Sequence, residues 1–412
     1  MGGAVDSPRV RMCELSAFIT KGATPTTFGF RWEADGVLFL RSECVGEDGL
    51  DLRQSNRISA AAHDAMRRSA IRPNDLLITI TGNVGRVARF QGAAEANINQ
   101  HLARVRLSDP RVLADFVFHF LSQKSVRTQL ESITTGQAYP QLSLVQVRDI
   151  EVPLPPLEEQ RAIAAALNDV DALIAALDAL IAKKRDIKQA TMQQLLTGKT
   201  RLPGFSGAWE TRRLGDCATF LRNGAHSRAE LDEESPVRNL HYGDIHASTS
   251  TFFDAAADEI PRLAPVKARG IDRLTDGDLV FVDASEDTKG VGKAVEVIGC
   301  GGVELVAGLH TIAVRFSKST LADRFKAFLP CTPAFRDQLL RLAAGTKVLA
   351  TSSRHIASVT LPLPSLAEQR AIAEVLTDLD AELAALDARR EKTRLIKQGM
   401  MQALLTGQVR LG

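Results

Sequence analysis

Residues 153–202, PLPPLEEQRAIAAALNDVDALIAALDALIAKKRDIKQATMQQLLTGKTRL, return at residues 362–411 as PLPSLAEQRAIAEVLTDLDAELAALDARREKTRLIKQGMMQALLTGQVRL. The copies align without a gap at an offset of 209, with about two thirds of positions identical. Repetition on this scale organises the chain before any motif does. What precedes each copy repeats more weakly: Gln100-His101 faces Leu309-His310, LADFVFHFL from Leu113 resembles LADRFKAFL from Leu321, and Asn74-Asp75-Leu76-Leu77 resembles Gly277-Asp278-Leu279-Val280. Four segments follow: a variable globular domain (1–152), the central repeat (153–202), a second variable domain (203–361) and the C-terminal repeat (362–412).

Each repeat reads as one long helix. Pro153, Pro155 and Pro156 (Pro362 and Pro364 in the second copy) prevent an earlier start, and Glu158 and Glu159 suit the positive end of the helix dipole. Gly198 and Gly407 follow Leu-Leu-Thr, where a left-handed residue ends a helix most easily. The roughly 40 residues between span about 60 Å at 1.5 Å rise per residue. Apolar residues at Ile163, Val170, Leu173, Leu177, Leu180 and Ile187, and at Ile372, Leu379, Leu386 and Ile396, step by three, four and seven as in a coiled-coil seam.

Charge sets how the helices meet. Copy one carries Glu158, Glu159, Asp169, Asp171 and Asp178 and then Lys183, Lys184, Arg185 and Lys188; copy two carries Glu368, Glu374, Asp378, Asp380, Glu382 and Asp387 and then Arg389, Arg390, Lys392, Arg394 and Lys397. A parallel pair would set acid against acid. An antiparallel pair sets each acidic half beside the partner's basic half, and although one exposed pair is worth only about 0–1 kcal/mol, a dozen sorted this way choose an orientation. The expected fold is α+β: two mixed α/β domains separated by an antiparallel coiled coil, related by a pseudo-twofold axis.

Composition narrows the class. At 412 residues the chain is long enough for two to four domains, and 45% apolar with 24% charged residues is ordinary for a globular protein. No stretch reaches 18 uncharged apolar residues and Met1 to Met12 lacks a signal-peptide core, so a cytoplasmic chain without membrane contact is expected. Cys13, Cys44, Cys217, Cys300 and Cys331 show no C-x-x-C spacing and read as reduced thiols. With 51 Lys and Arg against 49 Asp and Glu the net charge is +2, so only a local patch could bind nucleic acid.

The variable domains read as short strands (Val37 to Leu40, Leu76 to Thr81, Val84 to Phe90 and Leu102 to Leu107; then Leu279 to Val282, Ala294 to Ile298 and Thr311 to Phe316). A helix follows each set, near Ala114 to Glu131 and Leu321 to Leu342. No phosphate-loop signature and no methyltransferase tetrapeptide is present, and the histidines lack metal-ligand spacing. Asp283, Glu286, Asp287 and Lys289 read as a solvated loop, so no catalytic or metal residue is assigned. The loops do carry groups that can bond base edges or phosphates: Asn83, Arg86, Arg89, Gln100, Gln137, Tyr139 and Gln141 in the first domain, and Arg222, Asn223, His226, Lys289, Lys293, Lys347, Arg354 and His355 in the second. The helices are copied closely while the domains have drifted apart, as suits two heads that read different things.

Two helices opening on P-L-P-x-L-x-E-Q-R-A-I-A and closing on L-L-T-G, each behind a variable domain, resemble the specificity subunit of type I restriction–modification systems over nearly the whole chain. One departure is Asn74 where Gly usually precedes Asp75. The resemblance implies a non-catalytic subunit whose two target-recognition domains read an asymmetric, two-part site in double-stranded DNA. It also implies that the subunit recruits two modification subunits, which methylate adenine N6, and restriction subunits. The chain itself would need no cofactor; S-adenosylmethionine, ATP and magnesium are expected on the partners. The alternatives are a catalytic chain, such as a fused methyltransferase or nuclease, and a two-headed protein-binding scaffold held by a coiled-coil spacer.

Overall fold

The computed structural model describes residues 7–47, 49–92, 95–136, 139–288, 290–343 and 348–411. The chain forms two compact units: residues 1–179 with 388–412, and residues 180–387. Each long helix therefore contributes one half to each unit. The first runs Leu157–Leu195 and the second Leu366–Leu405, starting just after the prolines as their missing N–H groups require. Gly198 (φ 68°) and Gly407 (φ 73°) take the left-handed turn past the ends.

Inside each unit the two helix halves run antiparallel, held by ion pairs. In the first unit Lys397 meets Asp171 at 2.5 Å, Arg394 meets Asp178 at 3.7 Å and Arg410 meets Glu159 at 3.9 Å. The second unit repeats these pairs with the copies exchanged: Lys188 meets Asp380, Arg185 meets Asp387 at 3.2 Å and Arg201 meets Glu368 at 2.5 Å. Acidic halves thus face basic halves, as the charge pattern requires.

The seam differs from the one expected. Buried positions step through Gln160, Ile163, Leu167, Leu177 and Ile181 on the first helix and through Gln369, Ile372, Leu376, Leu383 and Thr393 on the second. Leu173, Leu180, Ile187 and Ile396 are exposed, standing one position off that stripe. The middle of the seam is polar, with Lys184, Lys188, Arg390 and Thr393 on it. Of the expected seam, Ile163, Leu177 and Ile372 are buried and Val170, Leu379 and Leu386 half-buried, while the other four positions fall on the neighbouring face.

The head of the first unit has two small sheets. One is antiparallel in the order Ser16–Lys21, Leu102–Leu107, Leu76–Thr79, Val87–Arg89; the other runs Asn56–Ile58, Val37–Leu40, Ala96–Ile98, Ala70–Ile71 with a parallel central pair. The second unit repeats the plan with a five-stranded sheet (Ala218–Leu221, Thr311–Phe316, Leu279–Val282, Ala294–Ile298, Phe252–Asp254) and a three-stranded one built on the parallel pair Val237–Leu240 and Leu305–Ala307. The strand expected from Val84 begins only at Val87, because Val84 to Arg86 complete the turn that returns the Gly85 N–H to the Thr79 carbonyl. The expected single helices are each broken. Ala114–Leu121 and Lys124–Ser132 are separated at Gln123, which is extended, and Pro330 and Pro333 restrict the second to a 3-10 turn, Lys326–Cys331, followed by Pro333–Leu342.

The same joints recur in both units. Buried Asp75 grips Arg106 through two hydrogen bonds (2.8 and 2.6 Å), and Asp278 grips Arg315 at the same distances. Asn74 (φ 73°) and Gly277 (φ 92°) make the left-handed turn into that aspartate. Asn replaces Gly there without changing the backbone, since its short polar side chain tolerates the left-handed region. Gln160 accepts the Leu113 N–H (2.9 Å) and donates to the Arg111 and Pro155 carbonyls; Gln369 does the same with Ala322, Thr320 and Pro364. The cores continue through these joints. Phe116 and Phe120 share a cluster with Ile163, Leu167, Leu404 and Leu405, and Phe325, Phe328 and Phe335 share one with Leu195, Leu196, Ile372 and Leu376.

Candidate nucleic-acid interface

One end of each head gathers loops from separate parts of the chain on a fixed backbone frame. In the first unit the Ile80 N–H bonds the His101 carbonyl (2.9 Å), the Leu142 N–H bonds the Ile80 carbonyl (2.9 Å), and the Asn99 N–H bonds the Leu40 carbonyl (2.9 Å). The second unit has the same frame: Asp283 to His310 (3.2 Å), Thr351 to Asp283 (2.7 Å) and Gly308 to Leu240 (2.8 Å). Three loops and a strand end are therefore pinned together whatever side chains they carry.

On the first frame sit Asn83, Gln100, Tyr139 and Gln141. Asn83 and Gln141 are exposed, and Tyr139 is 74% exposed. The Gln141 backbone bridges to Thr81 and Thr135 while its side chain stays at the surface. The Thr24 hydroxyl donates to the Gln100 amide oxygen at 2.7 Å, and Gln100 touches His101 at 3.1 Å, which brings Thr24 and His101 to the same rim.

Other candidates are engaged within the protein. Arg89 pairs with Asp115 at the start of helix Ala114–Leu121, and burial lowers its pKa. Arg86 reaches Glu47 (3.4 Å), which Arg127 also holds (3.0 Å), so that carboxylate lies below its usual range. Gln137, Lys289 and Lys347 lie outside the described residues.

In the second unit Arg222 forms a two-pronged pair with Asp272 (2.9 Å), though its side chain remains 73% exposed. Asn223 donates to the Gly308 carbonyl at 3.3 Å, beside the frame. His226 bridges Glu230 and the Lys267 carbonyl, both at 3.2 Å; the Ser227 N–H and then His226 hold the Glu230 carboxyl down to about 2. The Lys293 ammonium donates to the His246 and Ser248 carbonyls (2.9 and 2.6 Å), and burial lowers its pKa. It secures a loop from behind. Arg354 is exposed on helix Ser353–Ser358, and His355 lies 3.5 Å from the Thr351 hydroxyl.

Sequence reading missed an aromatic cluster on the second frame. Tyr242 packs edge-on against His310 (5.4 Å between centroids) and His246 (5.9 Å), and His310 approaches Asp283 at 3.2 Å. Tyr242 opens a short helix directly after strand Val237–Leu240, a position with no aromatic counterpart in the first half, so self-comparison could not find it.

Residues 66–184 match the family described as "Type I restriction modification DNA specificity domain". The type I restriction enzyme MjaVIII specificity subunit of Methanocaldococcus jannaschii is 26% identical over 323 residues, 74% of this chain and 73% of the relative. Both likenesses are to specificity subunits of type I restriction–modification systems. The putative MjaX specificity subunit of the same organism is 22% identical, covering 91% of this chain and 88% of the relative. Two solved structures share the fold with TM-scores of 0.60. One is a type I restriction–modification S subunit from M. genitalium (14% identity, 98% of this chain and 97% of that one); the other comes from work on complex assembly and conformational transition of the type I system (17% identity, 98% and 99%). What these relatives share by name is the specificity-subunit role in type I restriction–modification systems. Among the described residues no helix is long and apolar enough to cross a membrane.

Proposed function

We propose that the two heads, residues 1–152 and 203–361, each read one half of an asymmetric two-part DNA site. The continuous long helices 153–202 and 362–412 serve as the spacer, so the unread gap is a property of helix length. The chain performs no chemistry of its own. Modification subunits docked on it methylate adenine N6 after flipping the base into their own pocket, and restriction subunits join the same complex. The observation that carries this reading is the repeated frame of three backbone hydrogen bonds that presents Asn83, Gln100, Tyr139 and Gln141 in one head and Asn223, Tyr242, His310 and His355 in the other. Identical scaffolds with different polar faces are what two independent base readers need.

The test is selection of bound duplexes from a random library by the complex of this chain with its modification subunits. A motif of two defined blocks around a fixed undefined gap is expected, with affinity falling steeply as salt rises. A single block, or binding indifferent to salt and sequence, would refute the proposal.

A further inference from the structure

The two units pack differently around the glycine turn that ends each long helix. Behind the second head Trp209 lies against the Gly198 turn, its ring atoms 3.3 Å from where a Gly198 Cβ would stand. The Arg201 guanidinium, paired to Glu368, lies 5.6 Å from the indole centroid. Phe335 is fully buried in the same core cluster as Leu196 and Ile372, against which Trp209 packs.

Strand register identifies the first unit's counterparts. Arg9 opposes Pro153 and Thr211 opposes Pro362, so Ser7 stands where Trp209 stands. At the repeat offset Val126 replaces Phe335 and Gly407 replaces Gly198, while Arg410 and Glu159 replace Arg201 and Glu368. Two large rings have become a serine and a valine. In their place is a cavity of about 470 Å³ whose lining includes Ser7, Phe120, Val126, Glu159, Leu405 and Gly407. Among the described residues beyond its chain neighbours, nothing stands within 4 Å of a Gly407 Cβ, and Arg410 lies 3.9 Å from Glu159 where its counterpart lies 2.5 Å.

The geometry points to this cavity as a receptor for a large aromatic side chain, tryptophan or its equivalent, carried on a segment of another polypeptide. The second unit shows the chemistry of the occupant: an indole on the glycine turn with a guanidinium over its face, an arrangement that gains both apolar burial and cation–π attraction. Residues 1–6 carry no aromatic side chain. The lining carries Asp149, Glu151 and Glu159 with Arg9, while Arg11 lies 4.0 Å from Asp149 and Arg410 3.9 Å from Glu159. A volume of this size accommodates an indole with part of its backbone. The site lies behind the head and is independent of the DNA-reading proposal.

The probe is a fluorescent peptide with the sequence of residues 199–209, KTRLPGFSGAW, the segment that fills the equivalent slot, titrated against the full chain. Saturable one-to-one binding is expected, weakened by about tenfold or more when the peptide carries Trp209→Ala. Binding is expected to weaken by a similar factor when the chain carries Ser7→Trp or, as a milder filling variant, Val126→Phe, with unfolding temperatures no lower than the original. Four results would overturn the proposal: no saturable binding up to millimolar peptide, equal binding of both peptides, binding untouched by both filling variants, or displacement by free indole at equal concentration, which would make the slot a small-molecule site.

Discussion

The Lys397 ammonium stands 2.5 Å from the Asp171 carboxylate, and their counterparts in the other copies, Lys188 and Asp380, make the same contact in the second unit. A parallel helix pair could not make both. Asp171→Lys should lower stability by about 0.5–1 kcal/mol, and adding Lys397→Asp should restore most of it, because both groups are partly exposed and the coupling is modest. Denaturant midpoints of the two single variants and the double variant measure this; simple additivity would show that the pair does not couple.

Gln160 and Gln369 are buried and each makes three hydrogen bonds to loop or linker backbone. Replacing either by Leu strands one amide N–H and two carbonyls, at about 2–4 kcal/mol. Hydrogen exchange should rise at Leu113 for Gln160→Leu and at Ala322 for Gln369→Leu, each without the other.

Equivalent sheet positions carry opposite charges: Arg89 faces Leu76, and Glu296 faces Leu279. Burial raises the Glu296 pKa from 4.5 to about 7, although it accepts the Arg324 and Ala327 N–H groups. The folded state therefore holds a proton that the unfolded chain has released, and this contribution to stability is full below about pH 4.5 and lost as pH rises through 7. Glu296→Gln should flatten the fall between pH 5 and 8, while costing stability at low pH because its NH2 cannot accept one of the Arg324 and Ala327 N–H groups. An unchanged pH profile in chemical denaturation would disprove the assignment.

Gln141, exposed, and Arg89, paired with Asp115, test the proposed reading against scaffolding. Gln141→Ala should leave stability within about 0.5 kcal/mol and relax discrimination at one half-site by about 1–3 kcal/mol. Arg89→Ala leaves the Asp115 carboxylate without its ion pair and should cost about 3 kcal/mol of stability. Thermal unfolding and competition between matched and mismatched duplexes distinguish the two effects.

The repeat made the long helices and their antiparallel sense legible, because Pro156, Gly198 and the sorted charges act locally. The seam was less legible, since Lys184, Lys188 and Arg390 occupy buried-side positions while Leu173, Leu180 and Ile187 face outward. Site residues were harder still. Arg89 and Lys293 have the right chemistry for DNA, but distant partners, Asp115 and the carbonyls of His246 and Ser248, engage them. Tyr242 was invisible because nothing in the other half matches it.

The central claim is that each head reads its own half of the site. Its most direct test replaces residues 9–152 by the corresponding domain of another specificity subunit and maps the sites recognised by the assembled complex. One block of the motif should change, with the other block and the gap intact; a change in both blocks, or in neither, would contradict the account.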